Sequence, residues 1–290
     1  MSDVLAAIHP PVSVVIVNWR AADETLAAVK DLQQQKHQVQ CIYVVDNGSA
    51  DGSLELLEAA FAGMSDIKLL ANPKNLGFGG GCNRALEEAI SDGCSFIWLL
   101  NNDARPAPDC LSALLATAAR DANIGMVGSW LSDPDQPRQD HSGSWMRPWL
   151  LSCGSVQTPD DLERHPFSWV TAASALIRAE TLAKIGLFDE EFFMYWEDAD
   201  LAMRIRYAGY QIAIARNALV VHRAGTSSAD IPVQRYLWHL RSQGLWLNKH
   251  HPSPAVATFL LKAKFLAKAL MDRDLERFKG LLKSMECFHW

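Results

Sequence analysis

The apolar positions change period along the chain, and each change marks out an element. Residues 12–17 (VSVVIV) form a nearly unbroken β-branched run, 22–34 carry apolar residues at helical spacing, 41–45 (CIYVV) are a second short run, and 53–61 return to helical spacing. The alternation continues with a strand over 67–70, a helix over 83–90, a strand over 96–100, a helix over 111–120 and a strand over 126–130. Strands that are apolar at nearly every position belong to a sheet covered on both faces, so this part of the chain predicts a parallel sheet between two layers of helix. Residues 132–166 interrupt the pattern with many Pro, Asp, Gly and Ser residues. That is long for a connection within a compact domain and predicts a binding loop or a lid. A strand over 170–177 follows, then a helix placing Leu201, Ile205 and Ala208 at i, i+4 and i+7 before Gly209, and short strands over 212–214 and 219–221. From Ile231 onward the texture is helical, which divides the chain into a body, 1–230, and a helical extension, 231–290.

Composition narrows the function classes. The chain has 290 residues, 49% of them apolar, enough to bury one large core. A formal net charge of −6 excludes the overall basic field that gathers nucleic acid. Six scattered cysteines show no C-x-x-C pair, so neither a zinc site nor a disulfide framework is signalled, and a reducing cytosol suits them. The first residues lack the basic and apolar regions of a signal peptide, and no run approaches the length of a membrane span. The segment 252–290 holds seven Lys/Arg against four acids inside an acidic protein. Phe259, Ala263, Leu266 and Leu270 share one helical face there, and Lys264 and Lys268 share another, which suits peripheral contact with an anionic membrane. Leu261 and Phe265 make the same helix apolar nearly all round, which favours a helix that covers the body.

In open α/β sheets, ligands bind beyond the carboxyl ends of the strands. Four apolar runs here end in polar residues: Asn18-Trp19, Asp46-Asn47-Gly48-Ser49, Asn101-Asn102-Asp103 and His222. Local readings compete: residues 46–49 are good turn formers, Asp51 or Ser53 suits a helix cap, and the run before Pro106 suits a polar turn. NLGFGGGCN, residues 75–83, is not a dinucleotide fingerprint, because Cys82 stands at the sixth position of the G-x-G-x-x-G pattern and two strands precede it. Its glycines either let backbone approach a nucleotide or a neighbouring strand at a helix start, or are purely structural. In FDEEFFMYWEDADL, residues 188–201, acids stand among aromatics. The helix starting near residue 199 places Asp200 in its first turn, serving the N-terminal amides, and Asp198 at the mouth of a site beside Trp196. Glu197 points elsewhere, holding the loop or meeting an acceptor.

Taken in order, VSVVIVNW, VVDNGSADGS, NPKNLGFGGGCN, LLNNDARP, GLFDEEFFMYWEDADLAMRIRYAGY and VVHRAGTSS resemble the inverting family 2 glycosyltransferases, above all the bacterial rhamnosyltransferase-like branch that builds surface polysaccharides. The resemblance implies an α/β GT-A fold: a Rossmann-like mixed sheet flanked by helices, with a C-terminal helical extension. It implies that Asp46 reads the nucleotide base, that Asn18, Asn75, Gly77, Asn102 and Asp103 help hold the nucleotide sugar, and that Asp198 is the catalytic base. Asp103 and His222 would hold a divalent metal, Mg²⁺ or Mn²⁺, while Trp196 and Glu197 meet the acceptor. Asn101 departs from the family's Asp-x-Asp motif at its first acid, which leaves more of the metal's coordination to the substrate diphosphate. The donor implied is dTDP- or UDP-linked, favouring a 6-deoxyhexose such as rhamnose, and the acceptor is a saccharide or lipid-linked saccharide. The implied location is cytoplasmic, at the inner face of the plasma membrane if the tail binds lipid. Three other classes are weighed against it: an inactive nucleotide-sugar-binding relative, a glycosidase, which leaves the nucleotide-type blocks unexplained, and an NAD-dependent oxidoreductase.

Overall fold

The computed structural model describes residues 10–134, 140–222 and 232–271. The readings made for residues 1–9, for 223–228 of the last block, for the boundary near 230 and for the tail from 272 onward lie outside the described residues. The first half follows the alternation: β1 (Val12–Asn18), α1 (Ala22–Leu32), β2 (Cys41–Asp46), α2 (Ser53–Phe61), β3 (Ile67–Ala71), α3 (Gly77–Ser91), β4 (Phe96–Leu100), β5 (Ala104–Pro106), α4 (Cys110–Ala118) and β6 (Ile124–Ser132). Then come β7 (Gly143–Arg147), β8 (Ser152–Val156), α5 (Pro159–Arg164), β9 (Ser168–Val170), β10 (Ser174–Arg178), α6 (Ala179–Ile185), α7 (Glu197–Tyr207), β11 (Gln211–His222), α8 (Pro232–His250) and α9 (Pro254–Met271).

The main sheet has eight strands in the order β3-β2-β1-β4-β10-β6-β11-β5. Its strands alternate strictly: Val12, Val14 and Ile16 face a layer formed by α1, α2 and α4, while Val15 faces the layer of α3, α7 and the C-terminal helices. Both faces are therefore buried, as the continuous apolar runs require. The sheet is not all parallel, however. β10 enters antiparallel between β4 and β6, and β5 pairs antiparallel with the end of β11.

Four further expectations are revised. Residues 132–166 are not one open loop; β7 and β8 form a hairpin that joins β9 in a second, three-stranded sheet. The strand foreseen over 170–177 is two strands in different sheets, broken at residues 171–173. The two short strands foreseen over 212–221 are one strand with an irregularity between Ala215 and Leu219. Helix α3 begins at Gly77, six residues before the reading from propensity, because the glycines that weaken a helix in isolation allow close packing here. A Cβ on Gly79 would lie 2.8 Å from the Cβ of Phe188.

Helices α8 and α9 share the core on the α3 and α7 side of the sheet. Trp246, Leu247, Ala257 and Leu261 are buried in the same cluster as α3 and α7. The ring of Trp246 lies 5.5 Å from that of Trp196, between centroids. Asp200 in α7 binds Arg204 Nε at 2.8 Å and His250 Nε2 of α8 at 2.9 Å, rather than the helix's N-terminal amides. Burial pushes the Asp200 carboxyl up, but the His250 and Arg204 partners outweigh it and hold it below the usual carboxylate range. Trp246→Ala is expected to destabilise the protein by about 3–5 kcal/mol, the range for emptying a buried aromatic site. Urea unfolding should show one transition at lower denaturant; an unchanged midpoint would mean the C-terminal helices contribute nothing to this core.

Candidate active site

A cavity of about 480 Å³ opens beyond the carboxyl ends of β1, β2 and β4, and its walls come from both sheets and from α8. At one end, parallel pairing of β1 with β2 sets Asn18 opposite Asp46. Their side chains bond directly, Asn18 Nδ2 donating to Asp46 Oδ1 at 2.8 Å, and the Ser49 hydroxyl donates to the same oxygen at 2.5 Å. Thr25 donates to Asn18 Oδ1 and accepts from Asn102 Nδ2. Asn18, Asp46 and Asn102 are thus buried and engaged with one another. Asn102 reaches the cavity wall, but Asn18 and Asp46 stand behind it as a polar brace, so the base-reading carboxylate inferred from the sequence lies one layer back.

The adjacent Asn47 does line the cavity, and nothing in the sequence singled it out from a turn. Its amide ties the segment 72–77 to the end of β2: Nδ2 donates to the Gly77 carbonyl at 2.8 Å, and Oδ1 accepts from Asn72 and from the Leu76 amide. Asn75 Oδ1 receives the Gly77 amide at 2.8 Å. Gly77 has φ +80°, and a Cβ there would lie 1.9 Å from the Phe193 carbonyl oxygen. Of the close approaches foreseen for the glycine run, that of Gly77 is to the backbone of the 188–196 segment, whereas Gly81 lies against Val17 of β1 and Asn47.

Asp103 and His222 meet as the sequence suggested. Antiparallel pairing of β5 with β11 sets His222 opposite Ala104, and this brings His222 Nε2 to 3.2 Å from Asp103 Oδ1. Asn101 Nδ2 lies 3.3 Å from the same ring nitrogen. Among the described residues no three His, Cys, Asp or Glu side chains cluster as a metal cage. The pair still fits one hard divalent ion, since two neighbouring ligands of an octahedral ion, each at about 2.1 Å, are about 3 Å apart. The remaining positions would fall to water and substrate oxygens.

Glu197 and Asp198 occupy the first turn of α7, two residues earlier than the sequence pattern placed the helix start. The preceding Tyr195 and Trp196 both adopt left-handed backbone, φ +67° and +68°, a conformation that costs side-chain-bearing residues of order 1–3 kcal/mol each. Packing holds them there. Trp196 lies against Trp169, Trp246 and His239, and its indole donates to His239 Nε2 at 3.3 Å. Asp198 accepts the Ala199 amide at 2.8 Å and the Ala172 amide at 3.3 Å. Burial raises the pKa of both carboxyls above the usual carboxylate range. Glu197 is raised further because it also feels the charge of Asp198, whereas the amides of Ala172 and Ala199 favour ionised Asp198. Glu197 Oε2 is buried without a hydrogen-bond partner. Backbone amides thus favour the charged form of Asp198, while Glu197 is pushed toward its neutral form by burial and by the neighbouring charge.

Other wall residues escaped the sequence reading because they arrive from distant elements. Gly143, Ser144 and Cys153 come from the β7–β8 hairpin, and Arg235, Trp238 and His239 from α8. Arg235 Nε donates to the Tyr195 hydroxyl at 3.2 Å.

The chain is similar to known proteins in both sequence and fold. A glycosyl transferase family 2 model matches residues 13–185, more than half of the chain. N-acetylglucosaminyl-diphospho-decaprenol L-rhamnosyltransferase of Mycobacterium tuberculosis is 28% identical over 235 residues, covering 72% of this chain and 75% of that protein. Galactofuranosyltransferase GlfT1 of the same species is 24% identical over 213 residues, 73% of this chain and 70% of the relative. Mannosyltransferase PcManGT from Pyrobaculum calidifontis, solved with GDP-Man and Mn²⁺, superposes with a TM-score of 0.61 at 17% identity, covering 96% of this chain and 75% of its own. The mixed sheet with flanking helices is accordingly a GT-A fold. With the family match covering the run from β1 to β10, including β1, β2 and β4 at whose ends the cavity opens, the chain belongs to glycosyl transferase family 2.

Proposed function

We propose that the protein transfers a sugar, with inversion, from a nucleoside diphosphate donor to a saccharide carried on a lipid. The observation that carries the reading is the cavity that holds both the Asp103–His222 pair and the desolvated Asp198 carboxylate, the two polar groups a displacement at an anomeric carbon needs. The sugar class, a 6-deoxyhexose such as rhamnose on a dTDP or UDP carrier, is supported by the likeness to the mycobacterial L-rhamnosyltransferase. That relative's diphospho-decaprenol acceptor supports a lipid-linked acceptor here. The place of action follows: the cytoplasm, at the inner face of the plasma membrane.

The donor lies along the wall made by Asn47, Asn75, Gly77 and Asn102, with the Asn18–Asp46 brace keeping Asn47 and the 72–77 turn in register behind it. The acceptor enters beside Trp196 and Trp169. Asp198 accepts the proton of the acceptor hydroxyl as its oxygen forms a bond to the anomeric carbon, and the bond from that carbon to the diphosphate oxygen breaks with its electron pair leaving on the diphosphate. Asp103 and His222 would hold a divalent ion, Mg²⁺ or Mn²⁺, which when bound supplies positive charge against the charge on the nucleoside diphosphate. Glu197, protonated, keeps a second negative charge away from the attacking hydroxyl. The body of residues 1–230 thus carries the donor half of the site, and the extension from 231 contributes Arg235, Trp238 and His239 to the acceptor side.

Asp198→Asn should retain donor affinity while kcat falls about 10²–10⁴-fold, the range for a missing general base. Calorimetry against nucleotide sugars and steady-state kinetics check it, and a near-normal kcat would remove Asp198 from that role. Asp103→Ala should weaken donor binding chiefly when Mg²⁺ or Mn²⁺ is present, and full turnover of the wild type in EDTA would overturn the metal assignment. Glu197→Gln should raise thermal stability, and by more at pH 8 than at pH 5. The sign follows from the raised pKa: the unfolded Glu197 ionises from about pH 4, the folded one resists ionising, and the penalty grows as pH rises between the two. A stability gain that does not widen with pH would show that Glu197 is not held protonated by the fold.

A further inference from the structure

We propose that the outward face of α9, together with the turn joining β7 to β8, docks on an anionic lipid bilayer. Helix α9 is apolar on two opposite faces. Ala257 and Leu261 point into the core, Leu261 being 1% exposed, whereas Val256, Phe259, Leu260, Leu270 and Met271 stand in solvent, Phe259 at 69%. Helical spacing puts these outward residues, with Ala263 and Ala267, on one continuous arc. Lys262 borders the arc on one side, and Lys264 and Lys268 border it on the other. A helix that only covers the body needs one apolar face. The second face shares Phe259, Ala263 and Leu270 with the one foreseen for membrane contact, while Leu266 of that set packs against the core, and the structure leaves the outward residues uncovered among the described residues.

The turn extends the same surface. Trp149 and Leu150, at the tip of the β7–β8 hairpin, are 59% and 68% exposed. They adjoin α9 through two contacts: Lys264 Nζ donates to the Leu151 carbonyl, and the Trp149 ring lies edge-on to His251, 4.5 Å between centroids. Of the twelve large hydrophobic side chains most exposed among the described residues, seven belong to this turn and helix, so the patch is a concentration and not the scatter normal on a surface. Its charge selects the occupant. Residues 251–271 hold three lysines and no acid, which matches an anionic bilayer, whereas two copies meeting through this same face would set lysines against lysines. No helix among the described residues is long and apolar enough to cross a membrane, so the contact lies in the interface plane. The hairpin that carries Trp149 and Leu150 also gives Ser144 and Cys153 to the cavity wall, which sets the acceptor side of the cavity beside the bilayer.

Flotation of the full chain tests this directly. Vesicles of equal phosphatidylglycerol and phosphatidylcholine should carry the wild type upward at low salt, pure phosphatidylcholine vesicles should carry much less, and 0.5 M NaCl should release most of it. Phe259→Ser with Leu260→Ser should weaken partitioning at least about tenfold, as should Trp149→Ala with Leu150→Ala, since each pair removes two apolar side chains from the bound face. Lys268→Gln should weaken it about fivefold. All these positions are exposed, so thermal melting should match the wild type. The proposal is overturned if the wild type ignores anionic vesicles, or if the Phe259/Leu260 and Trp149/Leu150 variants bind as well as it does, which would place lipid binding elsewhere in the chain. It is equally overturned if ultracentrifugation finds a dimer that Phe259→Ser with Leu260→Ser dissociates while neither protein floats. Flotation is read without donor, acceptor or turnover, so its failure leaves the proposed transfer reaction standing.

Discussion

Two adjacent carboxyl groups, the buried Glu197 and the half-buried Asp198, stand in the first turn of one helix, and much of the surroundings of the cavity is arranged around the cost of holding them there. An isolated buried carboxylate is unfavourable by several kcal/mol unless hydrogen bonds or a positive field offset it. Here the offset is uneven. Asp198 has two backbone amides and the favourable end of the α7 dipole, while Glu197 has an oxygen with no partner and takes the neutral form instead. The two neighbouring carboxyls therefore stand in different surroundings, separated only by which of them the backbone reaches.

Keeping that turn in place requires support from distant parts of the chain. Tyr195 and Trp196 adopt left-handed backbone that is unfavourable in isolation, and they remain in it because Trp196 is packed among Trp169, Trp246 and His239. Trp169 comes from the small sheet and Trp246 from the C-terminal extension, so neither is an ornament on a finished domain. From the other side, the absence of a side chain on Gly77 lets the Phe193 backbone settle against the start of α3. The antiparallel strand β10 completes the link: the Asn101 amide bonds the Ala173 carbonyl at 2.9 Å, and the neighbouring Ala172 amide bonds Asp198. The Asp103–His222 end and the Glu197–Asp198 end of the cavity are thus linked through one short bridge, residues 171–173.

The donor end follows a different logic. Asn18, Asp46, Ser49, Thr25 and Asn102 satisfy one another in a buried network, which fixes the ends of β1 and β2 and the chain after β4 without using solvent. Such a network is costly if any member is left unpaired, so it makes a rigid floor on which Asn47 and Asn75 are positioned. Residues read from the sequence as ligand contacts are in part the scaffold for such contacts.

The sequence by itself determined the alternating elements of the first half and the strand ends that carry polar groups; that Asp103 and His222 share a site was implied by the family resemblance, and the pairing of β5 with β11 brings them together. Periodicity reports burial on one face or two, and a polar residue ending an apolar run is visible without knowing what lies opposite. It could not determine the direction of β10, because a strand apolar on both faces looks the same run either way. Nor could it show the pairing of residues 143–147 with 152–156, whose short, polar strands carry little alternation. Only the tertiary structure decided that Asp46 stands behind the cavity wall, that the glycines of α3 face Phe188 and Phe193, and that α9 has a second, outward apolar face. In each case the deciding quantity is which surface a side chain meets across space, and a pattern along one dimension does not contain it.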